Sequence, residues 1–350
     1  MRARNSNSIR PAATILVLGL HGLLGMGCSR ESAENRVTAN KVILYCSVDE
    51  TFAGDVLATF QKKTGIEVAA IYDSEAGKTT GLVNRMLRES RSSRPGADVW
   101  WSGELFGTMR LASAGLLEAY DPPAATDIGE RYRDPEFRWT ALANRARVLA
   151  FDPKRTSPDE IPTRWEEFAL PRIARNTALA NPLFGSTRGH VAAMFALWGS
   201  DRGRTFLQGL HDNGSLIADG NSASLRAVID GRAKFALTDS DDVWVAQRGG
   251  ASVESRLLDM GDGGTLLIPC SVALVRGGPN PQAARRLIDY LVSPEVERML
   301  AKSDSRNIPV RVALRKELNM PTPEESTIGF DRIAEAMDES EKAVREILIR

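Results

Sequence analysis

Apolar residues recur along this chain with two spacings, and the two alternate. KVILYCSV (41–48) is apolar almost without a break, the pattern of a strand buried on both faces of a parallel sheet. TFAGDVLATFQKKTG follows with helical spacing through Phe52, Val56, Leu57 and Phe60, and Gly65 is placed to end that helix. IEVAAIY predicts a second strand, KTTGLVNRMLRES a second helix and ADVWWS a third strand. Such alternation implies an α/β lobe built on a parallel sheet. Ligands of these sheets gather where strands end, which marks Asp49 and Glu104.

TMRLASAGLL predicts another helix, closed by Gly115, and YDPPAATD a loop. WTALANRARVLAFDP (139–153) predicts one or two long strands and opens a second region of alternation. There NTALANP and KFALTD read as strands, while GSTRGHVAAMFALWGS, GRTFLQGLHDNG and NSASLRAVIDGRA read as helices. GGTLLIPCSVALVRGG is a returning strand, followed by the helices NPQAARRLIDYLV and SPEVERMLAK. In the tail, apolar residues at 328, 333, 337, 344 and 347–348 predict a docked amphipathic helix.

The N-terminus stands apart from this pattern. Arg2, Arg4 and Arg10 precede the apolar run PAATILVLGLHGLLGMG, which stops at Cys28. A basic start, a short apolar core and small residues at the boundary predict a secretory signal peptide over residues 1–28. The run is too short to span a bilayer. The small residues before Cys28 also predict lipidation of that cysteine, although the usual lipobox leucine is displaced, with Leu24 one place before Gly25. Residues 29–40 then form a polar tether. The expected location is the periplasm or the outer face of the cytoplasmic membrane, lipid-anchored, or secreted if the lipobox is not used.

Composition narrows the function. Lys+Arg and Asp+Glu both number 45, which argues against a nucleic-acid binder relying on a broad basic face. The chain beyond residue 40 exceeds what one core usually supports, so two lobes are expected. Cys46 and Cys270 would be free to pair in an oxidising compartment, yet both lie in apolar runs, where cysteine is more often a small buried hydrophobe. The histidines, 21, 190 and 211, form no metal-ligand spacing.

Chemistry concentrates in FALTDSDDVW (235–244). Asp239, Asp241 and Asp242 fall within four residues after an apolar strand. Carboxylates that close repel one another unless solvated, protonated, hydrogen-bonded or facing a cation. Asp also favours helix starts, so an acidic first turn would use the same residues. A second constellation is Gly185-Ser186-Thr187-Arg188, which leads into a helix. Backbone N–H groups, hydroxyls and a guanidinium there would suit an anion, and Ser186 or Thr187 would equally serve as a cap. Asp49 and Glu50 would cap or ligate. Of Trp100 and Trp101, one is expected in the core and one in a cleft. His190 is expected to be a satisfied surface or core histidine, and Asn221 and Ser222 to cap a helix or reach the cleft.

Several stretches together resemble the ferric-iron-binding group of ABC-transporter solute-binding proteins. They are ILYCSVDE…FQKKTGIEV, ADVWWSGE…LASAGLLEAY, ANRARVLAFDPKR, IPTRWEEFALPR, GNSASLRAVIDGRAKFALTDSDD and IPCSVALVRGGPNPQAARRLIDYLVSPEVERML. They cover most of residues 41 to 310. The resemblance implies a type II periplasmic-binding-protein fold, α/β, with two lobes joined by hinge strands. Each lobe would be a mixed, mostly parallel sheet flanked by helices, closing over a ligand. The expected lobes are 41–140 with 265–318, and 141–264 with 319–350. A permease and its ATPase are the expected partners, with no nucleic acid, membrane contact only through the lipid, and a monomeric chain.

In the iron-binding relatives the ligands are a His after the first strand, an acidic residue after the third, and two adjacent tyrosines. Asp49 stands at the first place, Glu104 close to the second, and Asp241 and Asp242 at the tyrosine pair. The five tyrosines, 45, 72, 120, 132 and 290, all lie elsewhere. What remains is a set of hard oxygen donors, Asp49, Glu104, Asp239, Asp241 and Asp242. Such donors suit hard cations such as Mg, Ca, Mn or Fe. Ser186, Thr187 and Arg188 would hold a synergistic anion. A cationic, zwitterionic or phosphate-bearing organic solute would satisfy the same field, and a non-transport sensor would share the fold. DSDD also matches a D-x-D-D acid motif, but the further signatures such enzymes need are absent. No catalytic residues or catalytic cofactor are expected, and the bound cation enters as ligand.

Overall fold

The computed structural model describes residues 40–73, 80–91, 95–320 and 322–349. The signal peptide, Cys28 and nearly all of the tether lie outside the described residues. Strand β1 (Lys41–Cys46) pairs in parallel with β2 (Glu67–Tyr72) and with β3 (Val99–Ser102). Helix α1 (Glu50–Thr64) crosses between β1 and β2, burying Ala53, Val56, Leu57 and Phe60. It ends at Gly65, whose φ of +69° admits the left-handed cap that a side chain would strain. Helices α2 (Thr80–Glu89) and α3 (Leu105–Ser113) and the short β4 (Leu117–Glu118) complete this region.

The strand expected as one or two is a single one, β5 (Thr140–Phe151). At about 3.3 Å per residue it runs some ~40 Å, long enough to serve two sheets. Its first half pairs antiparallel with β10 (Leu267–Val275), which in turn pairs with β3. Its second half pairs antiparallel with β8 (Phe235–Asp239) and β9 (Glu254–Leu257). Around β8 lie β6 (Thr177–Ala180) and β7 (Leu216–Ala218), both parallel to it in direction. The order is therefore β2-β1-β3-β10-β5-β8-β6-β7, and β5 carries the chain from one sheet into the other.

Helices cover both sheets: α4 (Pro171–Ala174), α5 (Gly185–Trp198), α6 (Ser200–Asp212), α7 (Asn221–Ile229), α8 (Ser240–Arg248), α9 (Pro281–Leu291), α10 (Pro294–Lys302) and α11 (Val312–Glu317). The tail forms two helices rather than one, α12 (Phe330–Glu335) and α13 (Met337–Ile347), parted at Ala336. Ile328, Ile333, Met337, Val344, Ile347 and Leu348 are all buried, as their spacing predicts. The tail docks α13 on α5 and α6, and α12 on α5 and α3.

One expectation changes, and one alternative is decided. Trp100 and Trp101 are both fully buried, because β3 lies between β1 and β10 and both of its faces are covered. Neither is therefore a cleft residue, although one of the two was expected to be. Cys46 and Cys270 are buried free thiols, the former directed at the Val48 carbonyl and the latter at that of Gly103.

A buried ion pair ties α10 to the chain before α11. Glu297, 1% exposed, faces the Arg311 guanidinium, which also donates to Asp127 and to the carbonyls of Val292 and Ala124. Glu297→Gln keeps the volume but leaves Arg311 without its buried counter-charge, and should lower the melting midpoint by about 4 °C. A melt unchanged within about 1 °C would show that Asp127 alone suffices.

Candidate functional site

The site forms where β8 runs directly into α8. Asp239 is the last residue of the strand, and Asp241 and Asp242 occupy the first turn of the helix. One carboxylate oxygen from each lies within 4.8 Å of the others. Asp239 and Asp241 are buried and Asp242 is half-buried. The helix N-terminus favours the negative charge, but the Asp239 side chain makes no capping bond.

Two arginines complete the cluster. Arg145 and Arg147 project from β5 where it passes between the sheets, and Arg147 stands opposite Asp239 across the ladder. Arg147 Nη1 donates to Asp239 Oδ1 at 2.7 Å, with both side chains fully buried. Arg145 Nη1 lies 3.4 Å from Asp241 and 3.8 Å from Asp239. Burial works against its charge, but Asp241, Asp239 and Asp242 outweigh it and hold the guanidinium well above its ordinary pKa. Neither arginine was singled out from the sequence. The available signal was two charged residues, two apart, in a strand otherwise apolar enough to be buried, a pattern that requires partners.

The three carboxylates differ in their partners. Asp242 accepts from Ser222 Oγ at 2.6 Å and Thr238 Oγ1 at 3.0 Å. Asp239 accepts from Arg147, Ser186 and Asn221. Asp241 is 7% exposed, and its Oδ1 is buried with no hydrogen-bond partner. Burial pushes Asp241 up to about 7, against the pull of Arg145 and with help from Asp242 and Asp239. Asp242 is raised too, by burial and then by Asp239.

A pH prediction follows from Asp241. The unfolded chain releases this proton near pH 4, and the folded chain holds it to about 7. Stability without a cation therefore falls as pH rises across that window and levels off above it. Buried His190, held well below its ordinary pKa by burial and Arg147, acts oppositely below about 6.5. The diagnostic is thus a difference: Asp241→Asn should gain on the wild type by a few degrees between pH 5 and pH 7.5. Parallel pH–melting curves would contradict it.

The other sequence candidates are placed as follows. Asp49 is exposed at the start of α1. Glu104 caps α3, accepting from the N–H groups of Phe106 at 2.6 Å and Gly107 at 3.0 Å. Burial raises its pKa, offset in part by Arg188. Neither belongs to the three-aspartate cluster. Ser186 and Thr187 are buried and donate to Asp239 and Asn221, and Arg188 pairs with Glu341. His190 accepts from Arg147 Nε at 3.3 Å and meets Trp165 edge-on, but its Nε2 has no partner, so it is a core histidine only half satisfied. Asn221 joins the site, and Ser222 braces Asp242.

Against known proteins, the model for bacterial extracellular solute-binding proteins matches residues 103–335, two-thirds of the sequence. The chain belongs to that family. This solute-binding protein is 27% identical over 268 residues to the major ferric iron-binding protein of Neisseria meningitidis, covering 74% of this chain and 78% of that one. Among solved structures it resembles the ferric binding protein of Campylobacter jejuni, with a TM-score of 0.79 and 20% identity over 88% of this chain and 99% of that one. It also resembles the periplasmic binding protein AfuA of Actinobacillus pleuropneumoniae with fructose-6-phosphate bound, with a TM-score of 0.74 and 20% identity over 89% and 99% of the two chains. These structures establish the periplasmic-binding-protein fold, with its mixed sheets and flanking helices.

Proposed function

We propose that this solute-binding protein is the receptor of an ABC importer and that its cargo is a hard metal cation, with ferric iron the first candidate. The observation that carries this reading is the unpartnered, buried Oδ1 of Asp241 within a cluster of three carboxylates. A cation in contact with Asp241 and Asp242 would relieve the repulsion that raises both groups. All-oxygen donors favour hard ions over soft ones. Arg145 acts as a tethered counter-cation at 3.4 Å from Asp241, and the cargo displaces or shares it. Glu104 and Asp49, at the neighbouring strand ends, are the further donors that a tighter closure would recruit. The similarity to a ferric iron-binding protein and to a ferric binding protein supports the reading.

The chain's role is binding rather than catalysis. It works as a monomer held by lipidated Cys28 and its tether on the outer face of the membrane, and hands its cargo to a permease and ATPase. Loading near neutral pH releases the Asp241 proton, so affinity should rise as pH rises through about 7.

A second reading has its own observation. Arg145 Nε and Arg147 Nη2 are buried without partners, which would suit a phosphate-bearing solute. Melting the full chain with ferric nitrilotriacetate, Mn²⁺, Ca²⁺ and fructose 6-phosphate separates the two. Stabilisation by metals alone supports the cation, and stabilisation by the sugar phosphate alone overturns it.

A further inference from the structure

The residues that would hold a small anion beside the cargo are already engaged by one of the protein's own carboxylates. Asp239 is fully buried, and both of its oxygens are taken: Oδ1 by Arg147 at 2.7 Å, and Oδ2 by Asn221 Nδ2 at 2.8 Å and by the Ser186 hydroxyl. Ser186 and Thr187 stand in the first turn of α5, where an anion would be expected to dock. Their hydroxyls turn to Asp239 and to Asn221 Oδ1 instead. Asn221 is itself held in place, its backbone carbonyl accepting from the Ser224 hydroxyl at 2.7 Å. The remaining cation of that loop, Arg188, is spent on Glu341.

We infer that Asp239 is a built-in anion: its carboxylate fills the place of a small anion from solution, so the protein loads its cargo without one. The inference rests on the cation reading above. Its physical basis is charge exclusion. A phosphate or carbonate entering among Ser186, Asn221 and Arg147 would meet a buried like charge already holding the Ser186 hydroxyl, Asn221 Nδ2 and Arg147 Nη1, which leaves it only Arg147 Nη2. Asp239 thereby leaves Asp241 and Asp242 to face the cargo, while its own charge is matched by Arg147.

Two arms test this on the full-length chain. In the first, wild-type protein is titrated with ferric nitrilotriacetate in chloride buffer, with and without millimolar phosphate or bicarbonate. Affinities equal within about twofold are expected, and a tenfold gain from either anion overturns the inference. In the second, no metal is present. Asp239→Ala empties the space of one carboxylate beside Arg147, so sodium formate should raise its melting midpoint by several degrees over equal sodium chloride. Asp239→Asn keeps the volume filled and should not respond. If Asp239→Ala does not fold in chloride, recovery of folded protein on refolding in formate is the same readout. No formate effect on Asp239→Ala, or an equal effect on all three proteins, overturns the inference. If the wild type binds no ferric iron, the cargo reading fails and the formate arm still decides whether this is an anion pocket.

Discussion

Replacing Asp241 and Asp242 together by Asn is expected to lower affinity for a hard cation at least a hundredfold and to leave the fold intact. Asp241 Oδ1 has no partner within the protein, and Asp242 is steadied by Ser222 and Thr238, so the pair presents preset oxygens. Removing two negative charges near Arg145 still leaves it Asp239, at 3.8 Å. Asn also tolerates the first turn of α8. At a cation concentration one hundred times the dissociation constant, the wild type should gain about 2.7 kcal/mol, or some ~5 °C in midpoint for a chain of this size. The double variant should gain no more than about 0.4 kcal/mol at the same concentration. Without metal, it should melt above the wild type at pH 7.5, because the repulsion between the two groups is gone. A variant stabilised by the cation as strongly as the wild type would reduce both residues to an acidic helix start.

Gly189→Ala is expected to weaken cargo binding about thirtyfold by wedging the expected lobes apart. Gly189 lies on α5, and a Cβ there would sit 2.2 Å from Phe106 Cε2 and 2.6 Å from Cδ2. Phe106 has little room to yield. It is 3% exposed, packs edge-on to Phe330 at 6.5 Å, and donates its N–H to Glu104. Overpacking of this kind costs about 1–3 kcal/mol, and separating α3 from α5 relieves it. The cost then falls on closure, which cargo binding must supply. Small-angle scattering should show a larger radius of gyration for the variant without cargo, alongside the weaker binding. Unchanged scattering and affinity would mean that the ring relocates and the α3–α5 contact does not gate the site.

Much of the fold is legible in the sequence because local patterns agree with the global one. The alternation from β1 to β3 and from β6 to β8 follows from spacing, and Gly65 ends α1 where its position predicts. Other features depend on contacts distant in sequence. Whether 139–153 held one strand or two could not be read locally, since β5 is defined by its partners β10 and β8, about a hundred residues away. The short strands β4, β7 and β9 are too brief to show a period. The expectation that one of Trp100 and Trp101 lines a cleft fails because sequence spacing does not show that both faces of β3 are covered; both side chains are fully buried.

The site divides in the same way. Asp239, Asp241 and Asp242 stood out as charges that abruptly end an apolar strand. Arg145 and Arg147 did not, because a charged pair within a strand becomes meaningful only when its neighbour across the ladder is known to be Asp239. Ser186 and Thr187 read either as an anion loop or as a helix cap. The structure has their hydroxyls serving Asp239 and Asn221, partners 53 and 34 residues away that local sequence does not reveal.

The central claim is that Asp241 and Asp242 form the contact for a hard cation. Calorimetric titration of the full-length wild type with ferric nitrilotriacetate, repeated at pH 7.5 in two buffers of different ionisation enthalpy, tests it most directly. The account predicts one-to-one binding with release of about a quarter of a proton at this pH, the fraction that Asp241, raised to about 7, still holds and gives up to the cation. Saturable binding of fructose 6-phosphate, with no heat from the metal in either buffer, would contradict it.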